Sequence, residues 1–152
     1  MTDRSPDIFG EMRTECADET MELGSRLARS LNPGDVVLLS GELGAGKTVL
    51  AKGIAAGLGI DVALVNSPSF TLMNVYKGSL QMVHLDLYRI DDLEQAEQAG
   101  LLDSFASNGI VVIEWPERLG DFCSMMPHFR VEIVIVGPAS RLIRISNNDR
   151  KG

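Results

Sequence analysis

Residues 41–48 are the stretch of this 152-residue chain whose residue types and spacing most directly indicate chemistry. They read Gly-Glu-Leu-Gly-Ala-Gly-Lys-Thr, the Gly-x-x-x-x-Gly-Lys-Thr pattern of a phosphate-binding loop. In such a loop, backbone N–H groups form a concave anion site, and the following helix adds the positive end of its dipole. The Lys47 ammonium would reach the β- and γ-phosphates of a nucleotide, and the Thr48 hydroxyl would be a ligand of Mg²⁺.

The elements on either side are those that such a loop needs. Residues 36–40 are apolar and partly β-branched, which predicts a strand buried on both faces. Residues 49–58 predict a helix, with Gly59 as its C-terminal stop. The loop glycines permit backbone angles and close approaches that a Cβ would block. The residues predicted to contact a nucleotide here are Glu42, Leu43, Gly44, Ala45, Gly46, Lys47, Thr48 and Val49.

A second signal is a hydrophobic strand that ends in an acid. Residues 110–113 are four consecutive Ile or Val residues, and Glu114 follows them. This is the Walker B pattern, which supplies the acid that holds Mg²⁺. Many strands end in an acid, so the pattern gains its weight from the phosphate loop beside it. Trp115 has two interpretations, a core aromatic or a wall of a nucleotide or partner site.

A polar loop precedes a predicted hairpin. In residues 66–72 we single out Thr71, with Ser69 behind it, as the side chain that would sense a γ-phosphate, although composition alone favours an ordinary loop.

Residues 70–76 and 80–86, joined by Lys-Gly-Ser, read as the two strands of the hairpin. We interpret His84 as a packed or capping imidazole. Asp86 lies at a strand end, where α/β folds place ligand contacts.

Three further segments complete the predicted elements. Residues 16–31 carry apolar side chains at helical spacing, and Asp91 and Glu94 have the spacing of a capping box at the start of another helix. Residues 129–136 and 141–145 predict an antiparallel hairpin on the edge of the sheet.

The order of elements predicts an α/β fold, a three-layer sandwich like that of P-loop NTPases. Its central sheet is expected to be mainly parallel, with antiparallel hairpins added. One domain is expected over residues 1–152, with residues 1–14 and 147–152 irregular or frayed.

Composition limits the classes of function. The net charge of −7 does not suit a chain that holds a nucleic-acid backbone by charge alone, so a partner would carry any nucleic acid. The start of the chain does not read as a signal peptide, and no apolar run reaches the ~20 residues of a membrane span. Cys16 and Cys123 are isolated, which favours free thiols in a reducing compartment. We therefore expect a cytoplasmic protein.

Taken together, the motifs resemble one family, TsaE (also called YjeE), the ATPase component of the bacterial machinery that makes threonylcarbamoyladenosine in tRNA. The resemblance rests on residues 41–48, on Ser-Pro-Ser-Phe-Thr-Leu at 67–72, on His-Leu-Asp-Leu-Tyr-Arg at 84–89 and on Ile-Glu-Trp-Pro-Glu at 113–117. It covers roughly residues 15–146. The last two motifs are specific, since P-loop proteins in general do not carry them.

The resemblance implies ATP binding with Mg²⁺, slow hydrolysis, and association with TsaB and with the transferase subunit TsaD, so that tRNA is met only through the complex. Thr48 and Glu114 match the family's Mg²⁺ ligands, Asp86 its essential acid and Thr71 its switch threonine. Ser69 stands where the family usually has Thr, and it retains a hydroxyl. Thr14 and Arg141 are the candidates for further nucleotide contacts. The predicted catalytic residues are Asp86, Glu114, Lys47 and Thr71.

Three alternatives stay open at this point. A small metabolite kinase would use the same loop but would need arginines to clamp the transferred phosphoryl group, and no arginine-rich lid stands out. A GTPase-type switch would usually carry an Asn-Lys-x-Asp motif, which does not occur here. A nucleotide-binding interaction protein without turnover would not need both Asp86 and Glu114.

Overall fold

The computed structural model describes residues 8–66, 73–98, 100–106 and 108–148 of the chain. These residues form a seven-stranded sheet with helices on both faces. The strands are β1 Gly10–Thr14, β2 Val36–Gly41, β3 Met73–Tyr76, β4 Met82–Asp86, β5 Ile110–Glu114, β6 His128–Ile135 and β7 Arg141–Asn148. The helices are α1 Ala17–Ala28, α2 Lys47–Gly57, α3 Leu93–Gln98 and α4 Leu101–Ala106.

The sheet has a parallel centre and antiparallel flanks. Its strand order is β1-β7-β6-β2-β5-β4-β3, and the pairs β6–β2, β2–β5 and β5–β4 are parallel. The pairs β1–β7, β7–β6 and β4–β3 are antiparallel. The predicted three-layer α/β sandwich with hairpin additions is therefore confirmed.

One edge of the sheet differs from the prediction. The β6–β7 hairpin is not at the edge, because β1 pairs with the outer side of β7 from Gly10 to Thr14. The expectation of irregular structure over residues 1–14 is therefore wrong for residues 10–14, and β7 continues to Asn148. The physical reason is that the outer N–H and C=O groups of β7 are satisfied by another strand.

Helices α1 and α2 form one layer above the sheet. Helix α1 confirms the predicted amphipathic segment with shorter bounds, and it buries Leu23 and Leu27. It packs closely on α2 at two glycines. A Cβ on Gly53 would lie 2.1 Å from the carbonyl oxygen of Met21, and one on Gly24 would lie 2.5 Å from that of Leu50. This close packing fixes the position of α2, and with it the position of the phosphate loop that connects β2 to α2.

The opposite layer consists of shorter pieces. Helices α3 and α4 and the 3₁₀ turns at Pro116–Leu119 and Cys123–Met125 cover β4 and β5 on that side. The predicted capping box of α3 is displaced by one residue. The Asp92 carboxylate accepts from the Gln95 N–H at 2.9 Å, and Gln95 Oε1 accepts from the Asp91 N–H at 3.0 Å. Asp92 rather than Asp91 is the N-cap residue, because α3 begins at Leu93.

Strands β4 and β5 bring two predicted motifs together. Their parallel register places His84 beside Val112 and Asp86 beside Glu114. Both carboxylates therefore lie at the carboxyl end of the parallel centre, next to the loop that follows β2. Within the described part of the chain, no helix is long and apolar enough to cross a membrane.

Candidate functional site

The loop between β2 and α2 has the backbone that its glycines allow. Gly44 has φ 83° and Gly46, the residue before α2, has φ 108°, both in the left-handed region that favours glycine. No side chain caps the N-terminus of α2. The N–H groups of its first turn therefore point into the loop, where an anion can accept from them.

A cavity of about 310 Å³ opens between this loop and the carboxyl ends of β4 and β5. It holds side chains of both motifs that the sequence singled out, the loop and the acid at the end of β5. Its lining residues are Leu43, Gly44, Gly46, Lys47, Thr48, Val49, Asp86, Tyr88, Glu114 and Trp115.

Lys47 lies at the wall of this cavity and is only 4% exposed. Its Nζ donates to the carbonyl oxygens of Gly41 at 2.6 Å and Glu42 at 2.9 Å, and it lies 4.1 Å from the centroid of the Trp115 ring. Burial lowers the pKa of Lys47 below its ordinary value, and the nearby carboxylates, Glu114 foremost, act in the opposite direction. The ammonium is thus held on its own loop by groups that a phosphate can replace.

Glu114 is the buried acid of the site, 3% exposed at the end of β5. Its Oε2 accepts from the Thr48 hydroxyl at 3.3 Å and lies 2.7 Å from Nε2 of His84. A hydroxyl and a carboxylate at the mouth of a phosphate site fit Mg²⁺, which uses one or two carboxylates together with substrate phosphates. Among the described residues, no three His, Cys, Asp or Glu side chains are arranged to hold a metal ion by themselves. Phosphate oxygens and water would have to supply the other ligands.

Asp86 lies beside Glu114 but in different surroundings. It is partly buried, and its Oδ1 accepts from the backbone N–H of Tyr88 at 2.9 Å. This bond holds the carboxylate at the cavity wall, opposite the phosphate loop.

Aromatic rings close this side of the cavity. The rings of Tyr88 and Trp115 lie 4.9 Å apart, and the Arg118 guanidinium lies 5.1 Å from the Tyr88 ring. Trp115 has φ 60°, the one positive φ at a non-glycine residue in the described ranges, and this turns the chain out of β5 directly after Glu114. Trp115 lines the cavity and also packs on the second core cluster, so its surroundings are compatible with both interpretations.

A second cavity, of about 190 Å³, lies on the other side of the phosphate loop. Arg141 lines it and braces the loop, since its Nε donates to the Ala45 carbonyl oxygen at 2.7 Å. Thr14 pairs with Arg141 across β1 and β7, and its buried hydroxyl lies 2.7 Å from that of Thr20, which lines the cavity. Val49 lines both cavities, so they adjoin at the start of α2.

Most of the predicted site residues meet around one loop, and the exceptions are Thr14, Glu42 and Thr71. Thr14 lines neither cavity and contacts Thr20, which lines the second one. Glu42 does not line either cavity, and it takes part through its carbonyl group. Thr71 and Ser69 lie outside the described residues.

Sequence reasoning missed the cavity walls formed by Tyr88 and Thr20 and the contact of Arg118 with the Tyr88 ring. It interpreted His84 as a packed or capping imidazole. The ring is fully buried, as a packed imidazole is, but sequence reasoning did not identify its contact with Glu114. The spacing of His84 and Asp86, two residues apart on one strand, places them on one face and was the available signal.

A sheet with a parallel centre, a glycine-rich loop that leads into a helix, and an acid at the end of the neighbouring strand together define a nucleotide-binding protein of the P-loop NTPase class. Comparison with known proteins then gives the particular family. The profile of the family described as "Threonylcarbamoyl adenosine biosynthesis protein TsaE" matches residues 14–143, and the chain belongs to this family.

Individual relatives agree with this placement. The chain is 40% identical over 124 residues to the tRNA threonylcarbamoyladenosine biosynthesis protein TsaE of Bacillus subtilis, covering 81% of this chain and 75% of that protein. It is 42% identical over 117 residues to the protein of the same name from Treponema pallidum, covering 77% and 84%. The crystal structure of Bacillus subtilis YdiB is similar with a TM-score of 0.70 and 30% identity, over 92% of this chain and 86% of that one.

Proposed function

We propose that this chain is the Mg²⁺-dependent ATPase of the machinery that makes N6-threonylcarbamoyladenosine in tRNA. It binds ATP, hydrolyses it slowly, and thereby supports the threonylcarbamoyl-transferase complex. Residues 1–152 act as one ATPase domain. The family and the named relatives favour this function over a small metabolite kinase.

One observation carries the proposal. Lys47, Thr48, Asp86 and Glu114 converge on a single cavity, although they come from the start of α2 and from the ends of β4 and β5. Hydrolysis of a nucleoside triphosphate needs the γ-phosphate held, a metal ion placed and a water oriented. The cavity offers a cation for the first task, a hydroxyl and a carboxylate for the second, and a further carboxylate for the third.

Each side chain has a proposed task. Lys47 exchanges its two loop carbonyls for the β- and γ-phosphates. Thr48 and Glu114 would hold the metal ion, which would supply positive charge to the phosphate oxygens. Asp86 either orients or deprotonates the attacking water, or it holds a water of the metal shell and leaves the orientation to Thr71.

The nucleoside end of ATP is proposed to occupy the second cavity. With the triphosphate at the N-terminus of α2, the rest of the nucleotide would extend past Val49, which lines both cavities, into the second one. Arg141 lines this cavity directly, whereas Thr14 acts through its contact with Thr20.

The partners are proposed to be TsaD-like and TsaB-like subunits. Because the chain is acidic, tRNA is met only through the complex. A role in tRNA modification and two free thiols fit action in the cytoplasm.

Lys47→Ala tests the nucleotide site. Loss of this one loop ammonium, which makes charge-assisted hydrogen bonds, should weaken ATP binding on the order of 10²-fold in a calorimetric titration. Lys52→Ala, on the same helix but outside both cavities, is the matched control and should bind ATP as the wild type does. An unchanged ATP affinity in Lys47→Ala would contradict the assignment of the loop.

Reconstitution with TsaB and TsaD homologues tests the cellular role. Threonylcarbamoyladenosine formation on tRNA over repeated turnovers should require this chain and ATP, and Lys47→Ala should not replace the wild type. Co-purification with the same subunits, with and without ATP, measures the association. Full modification over repeated turnovers without this chain would contradict the proposed role.

A further inference from the structure

We infer that His84 is a positioning residue that fixes the Glu114 carboxylate for metal binding. The inference rests on the proposed function, since it assigns a task within the Mg²⁺ site. His84 does not line either cavity next to the phosphate loop, so it would act only through Glu114.

The contact is short and fully enclosed. Nε2 of His84 lies 2.7 Å from Oε2 of Glu114, and the side chains are 0% and 4% exposed. In the interior, a polar contact of this length is not weakened by competing water. The pair lies on neighbouring parallel strands, so the sheet itself sets its geometry.

The chemistry of the two groups decides which one donates. A carboxylate that holds Mg²⁺ is ionised, and an ionised carboxylate only accepts hydrogen bonds. Oε2 of Glu114 also accepts from the Thr48 hydroxyl. Nε2 of His84 therefore carries the proton and donates it to Glu114.

The other ring nitrogen supports this assignment. Nδ1 of His84 is buried, and it has no hydrogen-bond partner among the described residues. A proton there would leave a buried donor unsatisfied, whereas a lone pair costs less. The tautomer with its proton on Nε2 therefore fits the surroundings of both ring nitrogens.

A fixed donor has a direct consequence for a metal site. It restrains the rotation of the carboxylate, so one oxygen stays bonded to the imidazole and to Thr48 while the other is free to turn toward the cavity. Groups that hold metal ligands in this way typically change metal affinity by about 10- to 100-fold when they are removed.

A pair of substitutions separates positioning from packing. In His84→Gln the side-chain amide nitrogen can stand near the place of Nε2, so it can still donate to Glu114. In His84→Asn the amide nitrogen stands near the place of Nδ1 and cannot reach Glu114. Both variants bury one amide, so their folding costs are comparable, and thermal unfolding measures any difference.

ATP affinity is measured by calorimetry in EDTA and then at increasing Mg²⁺ concentrations. The readout is the Mg²⁺ concentration at which half of the Mg²⁺-dependent increase in ATP affinity is reached. His84→Asn should raise that concentration about 10- to 100-fold, while ATP affinity in EDTA stays at the wild-type value. His84→Gln should stay within about threefold of the wild type. Equal Mg²⁺ requirements in the wild type and His84→Asn would overturn the proposed role of His84 but would not contradict the proposed function. A wild type that binds no ATP would overturn the proposed function, and this inference with it.

The unmodified protein gives a second test, which does not depend on the folding of a variant. The chain has two histidines, and they should be opposite tautomers. Nδ1 of His128 lies 2.8 Å from the Met126 carbonyl oxygen, so that ring carries its proton on Nδ1. Nitrogen NMR of the two imidazoles should show one proton on Nε2 and one on Nδ1. A proton on Nδ1 in His84 would overturn the inference.

Discussion

Strands β4 and β5 present two faces of unlike chemistry. The face toward α1 and α2 carries the apolar side chains of Met82, Ile110 and Val112. Nearer the strand ends, the same face carries His84 and Glu114. Toward α3 and α4 the two strands turn only apolar side chains: Val83, Leu85, Val111 and Ile113. Strict alternation along each strand separates the two sets.

The difference shows where this fold tolerates buried polar groups. A buried carboxylate is costly unless it is hydrogen-bonded, and Glu114 has the His84 ring and the Thr48 hydroxyl. On the face toward α3 and α4, the strands present Val83, Leu85, Val111 and Ile113, whose side chains carry no polar atoms. We therefore expect substitutions of the polar residues on the first face to change catalysis and substitutions on the second face to change stability.

Glu114→Gln should have the largest effect. It keeps the shape of the side chain but removes the charge proposed to hold the metal ion, so ATP hydrolysis should fall on the order of 10³-fold. The melting temperature should change little. Glu132→Gln, an exposed change on β6, is the control and should hydrolyse ATP normally. Normal turnover by Glu114→Gln would remove Glu114 from the metal site.

Asp86→Asn should have the next largest effect. Loss of a positioned acid–base group should lower single-turnover hydrolysis on the order of 10²-fold, while equilibrium ATP binding changes far less. Single-turnover kinetics measured beside a binding titration separates these quantities. A parallel fall in both would make Asp86 a binding or structural residue.

Ile113→Val tests the opposite face at the residue next to Glu114. Ile113 is fully buried in the cluster toward α3 and α4. Removal of one methyl group should cost about 1 kcal/mol of the free energy of unfolding, or a few degrees of melting temperature. Hydrolysis per folded molecule should stay at the wild-type value. A loss of hydrolysis without a loss of stability would show that the two faces do not divide these tasks.

The pH-dependent effect of Cys123 should be confined to alkaline pH and to stability. Burial raises the pKa of this thiol from 9.0 to about 11. The unfolded chain loses this proton first, so the thiol's contribution to stability is constant below about pH 9 and declines as the pH rises toward 11. The unfolding free energy of the wild type minus that of Cys123→Ala should fall across this range. A flat difference would show that the thiol is not enclosed.

The local signals predicted the centre of the molecule well. The phosphate loop, the apolar run of β5 and the hairpin of β3 and β4 each depend on residues close in sequence, and their patterns are strong. The position of β1 was missed because Met12 is the one apolar side chain in residues 10–14, which is too few for a periodic pattern. That strand forms because β7 offers it an edge.

The site was predictable as a set of residues but not as a set of contacts. Glu114 and His84 are 30 residues apart, and their meeting depends on the register of β5 and β4. The same holds for Arg141, which reaches the carbonyl of Ala45 from 96 residues away. Such pairings depend on the packed sheet, which short-range patterns do not encode.

The position of the metal ion is the most direct test of the proposed division between the two carboxylates. Crystals grown with a non-hydrolysable ATP analogue and Mn²⁺ in place of Mg²⁺ would locate the ion by its anomalous scattering. We predict the ion at about 2.1 Å from the Thr48 hydroxyl oxygen and from a Glu114 carboxylate oxygen, with Asp86 outside direct coordination. An ion bound directly by Asp86 and not by Glu114 would contradict the proposed site.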